Sequence, residues 1–168
     1  LSGLTPPPLE EGFSYCELGC GQGLTTALLA ASFPQGRFWA NDFNPTHIAH
    51  ARRFCAERGI ANAEFCDDSF AEFAARDLPR FDYIALHGVW SWVSAEQRGL
   101  LRDFLARKLK VGGAAYVSYN AKPGKLLHDP LRRVFKDLSG DAAAPAEHRA
   151  AAGMELLNRC IAAPFGVF

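Results

Sequence analysis

The stretch Glu17-Leu18-Gly19-Cys20-Gly21-Gln22-Gly23 constrains this chain more than any other. It follows the apolar-leaning Phe13-Ser14-Tyr15-Cys16 and precedes Leu24-Thr25-Thr26-Ala27-Leu28-Leu29-Ala30-Ala31, an order that predicts a strand, a glycine-rich turn and a helix. Glycines on alternate positions let the backbone curl tightly and lie against a ligand where any Cβ would collide. The helix start behind them presents free N–H groups. A bare strand-to-helix connection with no ligand uses the same residues, so the rest of the chain decides between the two.

That remainder repeats the alternation. Helix one is expected to run to about Ser32, ended by Pro34 and Gly36. Arg37 to Asn41 reads as a short buried strand closed by the acid Asp42. Asn44 is a good N-cap and Pro45 suits the first helical position of helix two, which carries Ile48, Ala51, Phe54 and Cys55 on one face and closes at Gly59. Ala63 to Cys66 is a third strand, followed by a short helix reaching about Arg76. Phe81 to His87 is a fourth and the clearest. Gly88 to Val93 is a loop. Ser94 with Gln97 makes a capping box for a helix in which Leu101, Phe104, Leu105 and Leu109 share a face, with Lys110-Val111-Gly112-Gly113 as its stop. Ala114 to Ser118 is a fifth strand.

Asp129-Pro130 opens a further helix with Leu131, Val134, Phe135 and Leu138 in step, and a last helix is expected around Met154 to Ile161. Strands alternating with helices predict a doubly wound parallel sheet with helices on both faces and ligand at the carboxyl ends of the strands, where strand order reverses. The expected organisation is a single domain, 1–168, with a core at 13–138 and a helical C-terminal extension at 139–168.

Composition narrows the classes. At 168 residues, 49% hydrophobic and 21% charged, the chain suits one globular domain. Its formal net charge is zero, so no long-range attraction to nucleic acid or an acidic membrane surface is expected. The segment from Arg98 to Lys136 carries Arg102, Arg107, Lys108, Lys110, Lys122, Lys125, Arg132 and Arg133 against only Asp103 and Asp129, which reads first as a solvated helix face and second as a contact for an acidic partner. No apolar run is long enough to span a bilayer, and no basic-then-apolar leader is visible. The five cysteines, at 16, 20, 55, 66 and 160, lack metal-type spacing and fit reduced thiols in a cytoplasmic protein with no metal site.

The turn also discriminates between ligands. A dinucleotide site spaces its glycines G-x-G-x-x-G, whereas here the order is E-x-G-x-G-x-G. Glu17 would be a costly neighbour for a phosphate and a favourable one for a cationic group such as a sulfonium with an amino-acid tail. With Asp42 closing strand two, Asp68-Ser69 after strand three, Phe81-Asp82-Tyr83-Ile84 in strand four and Leu109-Lys110-Val111-Gly112-Gly113 before strand five, the chain resembles the class I S-adenosylmethionine-dependent methyltransferases over Tyr15 to Asn120. Asp42-Phe43-Asn44-Pro45, Leu86 to Val93 and Val117 to Gly124 look like the bacterial branch that carries an additional methyltransferase regulatory domain, some relatives of which are protein lysine methyltransferases.

The resemblance implies a Rossmann-like fold and S-adenosylmethionine, or its product S-adenosylhomocysteine, as cofactor. Gly19, Cys20, Gly21 and Gly23 would pass the methionine and ribose along the backbone, and Glu17 would lie near the amino end of the methionine. Asp42 would accept from the ribose hydroxyls, with Phe43 beside it. Asp68, with Ser69, would accept from the adenine amine. Phe43 and Phe70 either sandwich the ring or belong to the core. His87 ends strand four where the reacting groups should meet; it is either a general base or a residue that only hydrogen-bonds its loop. Trp90, Trp92, Tyr119 and Asn120 are candidate walls of the acceptor pocket.

Two departures from the family pattern bear on function. No Asn-Pro-Pro-Tyr signature follows strand four, which weighs against a nucleic-acid base as acceptor. Nothing after Ser139 reads as the final antiparallel strand pair, so strand five is expected to offer an open edge that would allow a homodimer. The expected activity is methyl transfer to an unidentified acceptor, a protein lysine or a small molecule. The rival expectation is a non-catalytic regulatory or partner-binding module that keeps the fold.

Overall fold

The structure is a computed structural model and describes residues 3, 5–121, 123–124, 130, 133, 148, 151–155 and 158–159. Between residues 14 and 117 five strands and four helices follow one another as β1 (Ser14–Leu18), α1 (Leu24–Ser32), β2 (Arg37–Asn41), α2 (Pro45–Glu57), β3 (Ala63–Cys66), α3 (Phe70–Ala75), β4 (Phe81–Leu86), α4 (Ala95–Lys108) and β5 (Leu109–Val117). Every strand pair is parallel and the order across the sheet is β3-β2-β1-β4-β5. The chain therefore leaves β1 towards one edge, through β2 and β3, and then returns to the other side of β1 as β4. That reversal, between β1 and β4, opens a crevice at the carboxyl ends of the strands. The doubly wound α/β fold expected from the alternation is the one observed.

Alternate strand residues feed two layers. Cys16 and Leu18 of β1 and Ile84 and Leu86 of β4 join Phe73 of α3 with Leu101 and Phe104 of α4 in one buried cluster. On the opposite face Ala40 and Phe65 pack with Ala27 of α1 and Ile48, Ala51 and Cys55 of α2. Phe13, Tyr15, Phe38 and Ala85 continue that face with Ala30 of α1. Strands buried on both faces have no polar side to show, which is why they read as near-continuous apolar runs.

Local chemistry fixes the helix ends. The Asn44 side chain accepts from Thr46 N–H at the start of α2, with Pro45 at the first helical position. At the end of α1, Asn62 offers its amide nitrogen to the carbonyls of Ala30, Phe33 and Gly36 at 3.0, 3.1 and 3.0 Å.

The fifth strand differs from expectation. Helix α4 stops at Lys108, and Leu109 is already the first residue of β5 rather than part of the helix face. Phe81 pairs with Leu109 but Tyr83 with Ala114, so extra residues bulge out of β5 between them. Gly112 and Gly113 are inside this bulge, not a helix stop. Gly112 has φ +79°, and a Cβ on Gly113 would lie 2.9 Å from the Asp82 carbonyl oxygen. The strand runs over Asp82, whose carboxylate accepts from Ser14 N–H, Ser14 Oγ and Lys110 Nζ, each at 2.8 Å.

By compactness the chain divides into two units, 1–119 and 120–168. In the second unit residues 151–155 are helical. The helix expected from Asp129-Pro130 and the closing strand pair concern segments that lie largely outside the described residues. No helix among the described residues is long and apolar enough to cross a membrane.

Candidate functional site

The turn after β1 is held by the strand beside it. Gly19 N–H and Cys20 N–H both donate to the Asn41 carbonyl at the end of β2, each at 2.9 Å, and Gly21 N–H donates to Asp42 Oδ2 at 3.0 Å. The three glycines do different work. Gly19 has φ +74°, and a Cβ there would stand 2.6 Å from a methyl of Val89, so the turn touches the loop after β4. A Cβ on Gly21 would meet nothing within 4 Å. Gly23 is the N-cap of α1 with φ +71°, and a Cβ there would drive into Phe65 and Ala51 at 2.6 and 2.7 Å. Gly23 thus serves helix-on-sheet packing, while Gly19 faces the crevice.

A cavity of about 530 Å³ lies over the carboxyl ends of the strands. Its walls come from four successive strand-end loops: Gly19 after β1, Asp42 and Phe43 after β2, Asp68, Ser69 and Phe70 after β3, and Gly88, Val89, Trp92 and Val93 after β4, with Asn41 and Gln97 completing it. The volume suits a nucleoside-sized ligand. A larger hollow of about 850 Å³ opens at the amino-terminal end of β2 and β3, around Arg37, Asn62 and Ala63, and contains none of the expected site residues. In this sheet type ligands bind at the carboxyl ends, so the smaller cavity is the functional candidate.

Each acid at the cavity is already engaged. The buried Asp42 accepts from Gly21 through one oxygen and, through the other, from Asn44 N–H at 3.0 Å, with His47 Nδ1 at 3.3 Å. Asp68 is gripped by both the Nε and an Nη of Arg76, the second at 3.0 Å. Ser69 N-caps α3 in a capping box: its N–H and hydroxyl donate to Glu72 at 2.9 and 2.7 Å. Asn41, almost fully buried, donates to the Asp68 carbonyl at 3.0 Å and leaves its own side-chain oxygen without a partner among the described residues.

Glu17 and His87 stand apart from these walls. Glu17 is 3% exposed in the middle of the sheet, between Ala40 and Ala85, and accepts from the Thr26 hydroxyl of α1. Burial pushes its carboxyl above the usual range, partly offset by Thr26 and the nearby His87. The same burial, with Glu17 and Asp42 nearby, pushes the Cys20 thiol up to about 12, so Cys20 stays neutral. His87 is exposed and stacks on Tyr116 with ring centroids 6.0 Å apart; its Nδ1 is 3.4 Å from Ser118 Oγ, which also accepts from Gly88 N–H at 2.7 Å.

Of the two tryptophans, Trp92 lines the cavity and is 70% exposed, whereas Trp90 packs against the α3–α4 core cluster. Phe43 is 80% exposed at the cavity, so core packing is not its role. Phe70 does both, lining the cavity while leaning on the core. Tyr119 is exposed and outside the cavity walls, and Asn120 belongs to the second compact unit.

Residues the sequence did not single out are Asn41, Val89, Val93 and Gln97 in the walls, and His47, Arg76 and Ser118 behind them. His47 is one helical turn past an N-cap, a position that can reach back to the preceding strand end. Arg76 has no such signal, because a pairing across a short helix follows no period.

A glycine turn pinned to the neighbouring strand and acids at the ends of β2 and β3 define a Rossmann-like transferase cleft, and the chain belongs to the methyltransferase domain family, whose match covers residues 16–115. Its fold is that of the class I S-adenosylmethionine-dependent methyltransferases. It is 47% identical over 135 residues to an uncharacterized protein of Synechocystis, an alignment covering 80% of this chain and 27% of that one. It is 30% identical over 142 residues to the trans-aconitate 2-methyltransferase of Paracidovorax citrulli, covering 82% of this chain and 52% of that enzyme. The structure of PKMT2 from Rickettsia typhi in complex with AdoHcy matches with a TM-score of 0.74 and 27% identity, over 99% of this chain and 31% of that one. The chain thus spans between about a quarter and a half of the length of these relatives.

Proposed function

We propose that this chain is the cofactor-binding and catalytic domain of an S-adenosylmethionine-dependent methyltransferase. The observation that carries the reading is the joint placement of Gly19, Asp42 and Asp68 around one cavity at the topological switch point. The donor set fits this cofactor better than a dinucleotide: the walls hold two carboxylates and no basic side chain, and Glu17 lies beneath the turn. The ribose would lie on Asp42 and the adenine near Asp68 and Phe70, with the methionine along the 19–21 backbone over Glu17.

When bound, the cofactor supplies an electrophilic methyl on a sulfonium. The chain's part is to bind, align and exclude water, and alignment alone can supply up to about 7–11 kcal/mol of such an acceleration. A carboxylate offers roughly four lone-pair directions, and three at Asp42 are taken. Two ribose hydroxyls therefore require one partner to yield, and the half-exposed His47, at the longest distance, is the one that can move.

The acceptor we favour is an amine, in line with the protein-lysine reading. Phe43 and Trp92 expose their rings at the cavity mouth, where an alkylammonium stem would pack, and the acidic walls oppose a multiply charged anion such as trans-aconitate. His87, oriented by Ser118, is the candidate to take the amine proton. Incubating the full protein and radiolabelled S-adenosylmethionine with lysine-containing proteins and with small carboxylic acids tests the choice. Label in the proteins is expected, and label confined to the acids would contradict it.

A non-catalytic role for the domain keeps one supporting observation, that His87 stands outside the cavity walls. Turnover with any acceptor removes that reading.

A further inference from the structure

Asp68 is the only acid at the cavity held by an arginine among the described ion pairs. The Arg76 guanidinium reaches it from the C-cap of α3 and lies outside the cavity walls. Its fork takes both carboxylate oxygens at once, which fixes the rotation of the carboxylate. One lone pair on each oxygen remains for the cavity side. Two neighbouring backbone groups are already used: the Asp68 carbonyl accepts from the Asn41 amide, and Ser69 N–H donates to Glu72. This corner therefore presents the Asp68 carboxylate to a ligand as an acceptor, and Arg76 keeps it aimed.

We infer that Arg76 is a positioning residue that sets the selectivity of the cavity for a 6-aminopurine over a 6-oxopurine ligand. The inference rests on the cofactor reading above, since it takes the adenine end to lie at Asp68. A ligand amine donates to a carboxylate held this way, whereas a carbonyl in its place meets a fixed negative charge and leaves the acceptor unpaired. Freed from Arg76, the carboxylate can rotate or turn to water, and the penalty against the carbonyl fades.

The test is calorimetric titration of the full chain with S-adenosylhomocysteine and with S-inosylhomocysteine, which carries a carbonyl where adenine carries its amine. The wild type should prefer the amine by roughly tenfold or more, the worth of a hydrogen bond to a charged group. Arg76→Ala should weaken S-adenosylhomocysteine about two- to tenfold, as expected for losing one preorganised side chain, and leave S-inosylhomocysteine nearly unchanged, so the ratio collapses. Arg76→Lys restores charge without the fork and should give an intermediate ratio; it also carries the test if the alanine variant fails to fold. A structural role for the ion pair would weaken both ligands equally. Equal weakening, or no change in either, overturns the inference while the cofactor reading stands. Absence of any S-adenosylhomocysteine binding by the folded wild type overturns both.

Discussion

Asp42 is the residue on which the cofactor assignment turns. Its acidity and its place after an apolar strand were legible in the sequence, because strand ends in parallel sheets are where such sheets bind ligands. Its partners were only partly legible. The Asn44 N–H contact is a local one, an aspartate side chain accepting from the backbone two residues on, but the contact with Gly21 needs the register of β1 against β2. Asp42→Ala should weaken S-adenosylhomocysteine by about 1.5–3 kcal/mol, the range for hydrogen bonds to a charged group, measured by calorimetry. His47→Ala should leave that affinity equal or slightly better, because His47 only competes for the carboxylate; a loss as large as that of Asp42→Ala would contradict this account of the ribose site. Arg76 shows the limit of sequence reading at this scale, since its grip on Asp68 depends on where a short helix ends.

Among the elements, the glycine turn and the strand-five bulge make opposite cases. The turn was readable because glycines on alternate positions between a strand and a helix supply the left-handed backbone that a tight turn needs. What the sequence could not divide was their labour: Gly23 is needed for packing against Phe65 and Ala51, not for ligand approach. Gly23→Ala should therefore destabilise the fold by at least about 1–3 kcal/mol, the cost of a strained left-handed residue before any clash is counted. Thermal unfolding checks this, and an unchanged melting temperature would mean α1 is not seated as described. Gly112-Gly113, by contrast, were taken for a helix stop because glycine after a basic helical turn usually is one. Tertiary pairing with β4 overrode that local signal and made them a bulge inside β5. The N-caps at Asn44, Ser69 and Ser94 are local devices, and α2 and α4 start where the sequence indicated.

At the scale of the whole molecule, the order β3-β2-β1-β4-β5 gathers four loops into one cavity, and a polar clamp ties the far end of the same sheet. Asp82 on β4 accepts from Ser14 at the start of β1 and Lys110 at the start of β5. Burial pushes its carboxyl up, but Lys110 and Ser14 outweigh this and leave it below the usual carboxylate range. A depressed folded pKa means that the clamp's contribution is present above the unfolded value of about 4 and is lost as pH falls through the lower folded value. Asp82→Asn should thus lower the melting temperature at neutral pH and shrink the gap to wild type in acid; a gap independent of pH would contradict the clamp.

The alternation of strands and helices made this architecture readable, whereas the acceptor depends on side chains of the β4 loop whose packing, Trp90 inward and Trp92 outward, follows no sequence period. The central claim is that the cavity over β1 and β4 binds S-adenosylmethionine. Titrating S-adenosylhomocysteine into the folded full chain tests it most directly: saturable binding at one site, weakened by Asp42→Ala, is the predicted result, and no binding, or binding indifferent to Asp42, would contradict it.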